Sequence, residues 1–272
     1  MHAASRDSLA AASERLDAYL DRASAVDLGA IADALFAVVS LLDREPIMRR
    51  LLSNADSDPD SRVLLLDSLL AARLDPRTLD QLRGLVRSRW SAPVDLADAV
   101  EQIARQAALG VAERSGTMDE VEDELFRFGR IVEREQELRA LLSDPLAPAE
   151  RRIDLLDRLI DGKVNVATRR LLEQSVRDPR GRSLERTLAE LERLASERRE
   201  RYVAHVQIST SMSGEQESRL EAALSRIYGR PVSLRVELDR RLLGGLLVRV
   251  GDEVIDGTVL ARLDRAWQRL AD

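Results

Sequence analysis

The chain has 272 residues, of which 44% are hydrophobic, 33% charged and 3% aromatic. This length is enough for two or three small domains with a sizeable core, and a composition dominated by Ala, Leu, Arg and Glu favours helices. The net charge of −6 argues against general binding of nucleic acid, and the absence of Cys excludes disulfides, thiolate metal sites and thiol nucleophiles.

The sequence predicts neither a signal peptide nor a membrane span. Residues 1–8 lack a basic segment followed by an apolar core. The longest stretch without charged or turn residues runs from about Ala34 to Leu42, whereas a span needs about 20 residues. If the protein works at a membrane, we expect partners to hold it there.

An internal repeat with an offset of 90 residues organises the first two thirds of the chain. From Asp33 to Arg87, 18 of 55 ungapped positions are identical to the residue 90 positions later. Leu35-Phe36, for example, matches Leu125-Phe126. An ungapped register of this length indicates an internal duplication, with coincidental amphipathic periodicity as the alternative. We therefore expect residues 93–182 to superpose on residues 5–92.

Each copy has the pattern of a small helical bundle. The clearest helix follows Asp119, where apolar residues recur at near-helical spacing: Val121, Leu125, Phe128, Val132 and Leu138. The breaks between segments predict about six short helices per copy. Because short helices cannot bury their apolar stripes alone, each copy should be compact. We predict an N-terminal bundle over residues 1–92 and a second one over residues 93–182.

Residues 183–272 predict a small α+β domain. A charged helix over 183–201 precedes a strand with period-two alternation, and Ser213 and Gln216 form a capping box for the next helix. A second strand follows, which should pair in parallel with the first because a helix connects them. Gly251-Asp252 predicts a hairpin turn, and Asp256 is the expected cap of a last helix that carries Val259, Leu263, Trp267 and Leu270. The predicted fold class is therefore mainly α, with two tandem helical bundles followed by this α+β domain.

One segment of this last domain resembles a known family. Residues 242–258 read LLGGLLVRVGDEVIDGT. This is similar to the C-terminal signature of the F-type ATP synthase delta subunit family, which includes the mitochondrial oligomycin-sensitivity-conferring protein. The matching positions are Gly244, Gly245, Gly251, Asp252, Asp256 and Gly257. Asp239-Arg240 departs from the Asp-Pro that the family often has. The resemblance covers roughly residues 93–272, so residues 1–92 are an additional helical copy.

The resemblance implies a non-catalytic connector in the proton-translocating ATP synthase, at the cytoplasmic face of the cell membrane. One chain per complex would link the catalytic head to the peripheral stalk, so that the head does not rotate with the central shaft. The second bundle would bind N-terminal segments of alpha subunits, and the C-terminal domain would bind b-type stalk subunits. A helical-repeat adaptor in another multiprotein complex is the alternative, which co-purification would separate from the first.

The residues themselves indicate no catalytic, cofactor or metal site. His2 lies at the terminus and His205 on the polar side of a predicted strand, and neither has a partner at ligand or triad spacing. Asp161-Gly162-Lys163 lacks the other residues of a phosphate-binding loop. The basic loop Arg177–Arg182 is interpreted as a solvated loop, with contact to an acidic partner as the alternative.

The candidate partner-binding site is a groove between the first and fifth helices of the second copy. We predict that Ile103 and Ala107 line one wall, and that Leu171, Leu172 or Val176 lines the other, around an amphipathic alpha-subunit segment. The alternative is that these apolar residues fill the core of the bundle. The substitution Ala107→Glu distinguishes the two, because a charge is tolerated in an open groove and not in a core.

Overall fold

The computed structural model describes residues 2–20, 22–200, 203–228, 232–239, 241–251, 253–261 and 263. The chain divides into two compact units, Met1–Ala195 and Ser196–Asp272. The helices within these residues are α1 (Ala3–Leu20), α2 (Ala25–Arg44), α3 (Pro46–Leu52), α4 (Pro59–Leu70), α5 (Pro76–Arg87), α6 (Pro93–Ser115), α7 (Met118–Arg134), α8 (Gln136–Ser143), α9 (Ala149–Ile160), α10 (Val166–Arg177), α11 (Leu184–Glu200) and α12 (Gly214–Tyr228). The strands are β1 (Val203–Ile208), β2 (Ser233–Leu238), β3 (Leu246–Val250) and β4 (Glu253–Asp256).

The helix bounds repeat with the offset found in the sequence. Both α4 and α5 reappear 90 positions later, with the same lengths, as α9 and α10. A buried arginine occupies the same place in each copy: Arg62 donates to the carbonyl of Arg87 at 3.2 Å, and Arg152 donates to the carbonyl of Arg177 at 3.4 Å. These equivalences support the duplication and the superposition of the copies, both of which stay predictions.

Five helices begin in each predicted copy within the described residues, rather than about six, and α6 accounts for the difference. At an offset of 90 residues, α6 corresponds both to α1 before it and to α11 after it. If the duplication is correct, α6 is both the last helix of the first predicted bundle and the first helix of the second. Sixteen of its 23 residues are buried. Both predicted bundles consequently lie in one compact unit, which ends at Ala195.

Among the other helices, α2 packs most extensively against α6. It is apolar and long enough to cross a membrane, by length and composition alone. Half of its most apolar stretch is buried inside the protein, including Leu28, Ile31, Leu35 and Val39. Such burial is typical of a core helix.

The two phenylalanines that match at the 90-residue offset differ in burial, because Phe36 of α2 is 5% exposed, whereas Phe126 of α7 is 54% exposed.

The C-terminal unit contains a four-stranded sheet in the order β2-β1-β3-β4. The predicted parallel pairing of β1 with β2 is confirmed, and both other pairs are antiparallel. One face of the sheet packs with Leu224 of α12 in a small apolar core that includes Ala204, Val206, Ile208, Val248 and Val250.

The predicted capping box of α12 is confirmed: Gln216 Oε1 accepts from the Ser213 amide at 2.8 Å, and Ser213 Oγ accepts from the Gln216 amide at 3.3 Å. At the end of the chain, Thr258 Oγ1 accepts from the Ala261 amide at 3.2 Å. The prediction of Asp256 as the cap of the last helix is therefore wrong, because Thr258 takes the cap position and Asp256 accepts from the Thr258 amide at 2.9 Å in the turn before it. Asp252, Trp267 and Leu270 lie outside the described residues.

Two helical glycines give a direct test of the packing around α6. A Cβ at Gly110 would overlap the side chain of Leu20 and lie 3.4 Å from Leu28 Cδ1, and both leucines are fully buried. We expect Gly110→Ala to lower the free energy of unfolding by about 1–2 kcal/mol, because overpacking outweighs the gain in helix propensity. Urea denaturation of the full chain measures this change.

Gly84→Ala is the matched control. A Cβ at Gly84 would lie 2.7 Å from Nε of Arg15, whose side chain is exposed and can move aside. We expect this substitution in α5 to raise the free energy of unfolding by up to about 1 kcal/mol. Equal effects at the two positions would contradict close packing around α6.

Candidate functional site

The five side chains predicted to line the partner groove lie in the core of the helical unit. Ile103, Ala107 and Leu172 are 0% exposed, and Leu171 and Val176 are 1% exposed. The structure thus brings α6 and α10 together as predicted. A groove that receives a partner segment there stays a prediction, and it requires these residues to become accessible.

α2 reaches across to α10 beside these residues. Nη2 of Arg170 lies 3.0 Å from Oδ2 of Asp33, and the Ser40 hydroxyl donates to Oδ2 of Asp178 at 2.9 Å. A cavity of about 260 Å³ remains between the two helices, lined by Asp33, Phe36, Ala37 and Ser40 of α2 and by Arg170, Glu173, Gln174 and Arg177 of α10.

A buried charge cluster, centred on Glu101, ties α6 to its neighbours. The Glu101 carboxylate accepts hydrogen bonds from Arg105 at 2.6 Å and from Arg180 and Arg182. Arg105 also contacts Oε2 of Glu190 on α11 at 3.2 Å. The side chains of Glu101, Arg105 and Arg180 are only 4%, 5% and 7% exposed. Charges buried this deeply must be paired, so the cluster fixes where these elements meet.

The interpretation of Arg177–Arg182 as a solvated loop is wrong for its central residue. Arg180 is buried and contacts Asp43 of α2 at 2.5 Å and Asp98 of α6 at 3.0 Å, in addition to Glu101. Its φ of +49° is in the left-handed region, where a side chain is strained. The loop therefore binds acidic side chains of its own chain. Sequence reasoning missed this cluster, although Glu101 and Arg105, four positions apart in an Ala-rich helix, were a signal for it.

Burial and charge act in opposite directions on the two α6 carboxyls of this region. Burial alone would raise the pKa of Glu101, but the positive charges and hydrogen bonds of Arg105, Arg182 and Arg180 outweigh it and hold the pKa below its ordinary value. For Asp98, burial prevails over the attraction of Arg180, and its pKa is raised. Glu101 is consequently the carboxylate whose ionised form stabilises the fold.

The C-terminal signature forms a close packing contact. Gly245 has a φ of +83°, and a Cβ there would lie 2.5 Å from the carbonyl oxygen of Gly257. The Gly257 amide donates to the carbonyl of Leu246 at 3.0 Å, and the Val259 amide donates to that of Gly244 at 3.0 Å. Gly251 has a φ of +57° at the hairpin turn. The signature glycines thus bring the start of β3 against the segment after β4.

The polar face of the sheet is a second surface that could contact a partner. His205 of β1 lies 3.6 Å from Oε2 of Glu200, and Arg235 of β2 lies 3.7 Å from Oε1 of the same carboxylate. An open cavity of about 630 Å³ borders this face. Within the described residues, no three His, Asp or Glu side chains are grouped to hold a metal ion. His2 is exposed.

The burial of Ala107 predicts the outcome of the Ala107→Glu substitution. It places an unpaired carboxylate in the core, and we expect it to lower the free energy of unfolding by at least about 4 kcal/mol. Circular dichroism under urea measures this loss. Ala10→Glu, on the exposed side of α1, is the control and should change stability by less than about 0.5 kcal/mol. A folded Ala107→Glu variant of normal stability would show that the groove is open.

Glu101→Gln tests the buried charge cluster. It keeps the size of the side chain but leaves three arginines without their shared carboxylate, which should cost about 3–5 kcal/mol of unfolding free energy near pH 7. Glu133→Gln is the control, because Glu133 is 55% exposed and pairs only at the surface with Arg130. That change should cost less than about 1 kcal/mol.

The lowered pKa of Glu101 also predicts how the stability of the chain depends on pH. Because the folded pKa of Glu101 is below its ordinary value, its stabilising contribution is present above that ordinary value and is lost as the pH falls through the folded pKa. The stability gap between the unsubstituted chain and Glu101→Gln should therefore shrink as the pH falls below about 4.5, the ordinary pKa of a Glu carboxyl, toward about pH 3. A gap that is constant over this range would contradict the role of the ionised carboxylate.

Comparison with known proteins gives consistent matches over the whole chain. Residues 100–270 match the family described as ATP synthase delta (OSCP) subunit. The chain is 48% identical over 271 residues to a protein of Streptomyces griseus named ATP synthase subunit delta, covering 100% of both chains. It is 44% identical over 271 residues to the protein of the same name from Thermobifida fusca, again covering 100% of both.

A structural likeness is weaker. A chain from the cryo-EM structure of the Toxoplasma gondii mitochondrial ATP synthase hexamer is 22% identical, with a TM-score of 0.32, and the match covers 62% of this chain and 95% of that one. A TM-score this low supports no structural argument. The family match and the full-length relatives carry the assignment, and they do not favour an adaptor of an unrelated complex. The chain belongs to the ATP synthase delta (OSCP) family.

Proposed function

We propose that this chain connects the catalytic head of an F-type ATP synthase to its peripheral stalk. The helical unit would hold N-terminal segments of alpha subunits, and the C-terminal unit would hold b-type stalk subunits. The observation that carries the proposal is the division into two compact units of different architecture in a chain that matches delta subunits over its full length. One chain per complex would lie at the cytoplasmic face of the cell membrane, held there by its partners.

Such a connector would have a mechanical role. It must transmit the load of the stalk to the head without yielding, so that torque on the central shaft drives ATP synthesis. The helical unit has features suited to this task, because its central helix is buried and the cluster around Glu101 joins α2, α6 and α11. Packed interiors deform little under load. The chain itself is a non-catalytic subunit.

A nucleotide-binding measurement tests whether the chain lacks ATP binding and hydrolysis of its own. We expect isothermal titration of the full chain with Mg-ATP to give no binding in the micromolar range and no hydrolysis. The reason is that residues 161–163 lack the glycine-rich backbone and the Ser or Thr of a phosphate-binding loop. Micromolar affinity would contradict a purely mechanical role.

The Gly245→Ala substitution tests whether the C-terminal unit holds the stalk. The added Cβ would meet the Gly257 carbonyl at 2.5 Å with a positive φ, so we expect a local cost of about 2 kcal/mol or more. In a pull-down with the full chain, binding to b-type subunits should fall at least tenfold while binding to the catalytic head is retained. Gly214→Ala is the control, since a Cβ there meets nothing within 4 Å.

The two partners give distinguishable outcomes. Loss of head binding together with unchanged binding of b-type subunits would reverse the assignment of the two units. Failure of the unsubstituted chain to bind the catalytic head, or to bind b-type subunits, would contradict the proposed function, because a connector must bind both.

A further inference from the structure

α2 and α10 are joined by polar contacts along one strip. The polar residues Asp33, Ser40 and Asp43 follow one side of α2 and bind Arg170, Asp178 and Arg180. All three partners lie on α10 or in the loop directly after it. The apolar residues of α2 meanwhile pack in the core with those of α6. α2 thus packs on α6 through apolar side chains and is bound to α10 and the following loop through polar ones.

The remaining space between α2 and α10 is an open and mostly polar cleft, because six of its eight lining residues are polar or charged. An amphipathic partner helix needs an apolar surface for its apolar face. Such a helix could reach the buried apolar residues between α6 and α10 only if α2 left. Departure of α2 would expose its buried leucines and valines and would separate Asp43 from Arg180 in the buried charge cluster.

A helix of the first predicted copy therefore lies at the predicted groove of the second. We propose that α2 is the permanent occupant of the groove between α6 and α10, and that it fills this site in cis instead of a helix from the catalytic head. The second copy then serves as an internal anchor for the first, and alpha-subunit segments dock on another surface of the helical unit. This inference excludes the groove predicted from the sequence, and it depends on the proposed function only for the identity of the excluded partner.

A covalent bridge between α2 and α10 tests the inference in the full chain. The chain has no Cys, so Ser40→Cys/Asp178→Cys introduces one pair of thiols, at positions whose side-chain oxygens lie 2.9 Å apart. A short bismaleimide can join them without the strict geometry of a disulfide. The probe is the isolated catalytic head, stripped of this subunit. If α2 stays in place, the bridged and unbridged proteins should bind the head with Kd values within twofold.

The opposite result is equally clear. Weakening by tenfold or more on bridging, but not on treating Ser40→Cys alone with the reagent, would show that the head displaces α2 and would overturn the inference. If the unsubstituted chain does not bind the head at all, the proposed function fails, and a second measurement decides the inference.

That second measurement is thiol labelling of the chain by itself. Val176→Cys places a thiol at a predicted groove position that is 1% exposed, and Val166→Cys places one on the same helix at a position that is 65% exposed. We expect the thiol at position 176 to react at least a thousandfold more slowly than that at position 166. Rates within tenfold of each other, in a variant of normal stability, would show that the groove opens and would contradict a permanent occupant.

Discussion

The burial of α6 over most of its surface is the constraint on which the helical unit depends. Neighbours reach it from several directions, since Ser5 of α1 bonds Asp95, Gly110 contacts Leu20 and Leu28, and Arg105 contacts Glu190 of α11. A helix in this position needs small side chains where neighbours approach closely and charges only where a partner is available. Its alanines, its glycine and its paired acidic and basic residues satisfy both conditions.

Sharing one helix would explain how the predicted additional copy fits the proposed connector role. Two bundles joined by a flexible linker would bend at the linker, whereas two bundles built on the same buried helix have no such point. The buried charge cluster adds specificity, because Arg180 reaches residues on α2 and α6 at once and accepts a left-handed backbone to do so. Strained residues of this kind persist only where the surroundings determine their conformation.

Local chemistry was predictable from the sequence, and long-range packing was not. The capping box at Ser213 and the parallel pairing of β1 with β2 follow from patterns within short segments. The apolar residues Leu171, Leu172 and Val176 have the same pattern whether they fill a core or line a groove, so sequence alone left both open. Charge misled the interpretation of Arg180, because its partners Asp43 and Glu101 are 137 and 79 positions away.

Because the two predicted helical copies share α6, we expect them to unfold as one unit. Segment-resolved hydrogen exchange of the full chain under increasing urea tests it most directly, with the equivalent helices α4 and α9 as reporters of the two copies. We predict that their most protected amides open with the same free energy and the same urea dependence. Opening of α4 at a free energy more than about 1 kcal/mol below that of α9 would contradict the claim, because it would show two bundles that unfold separately.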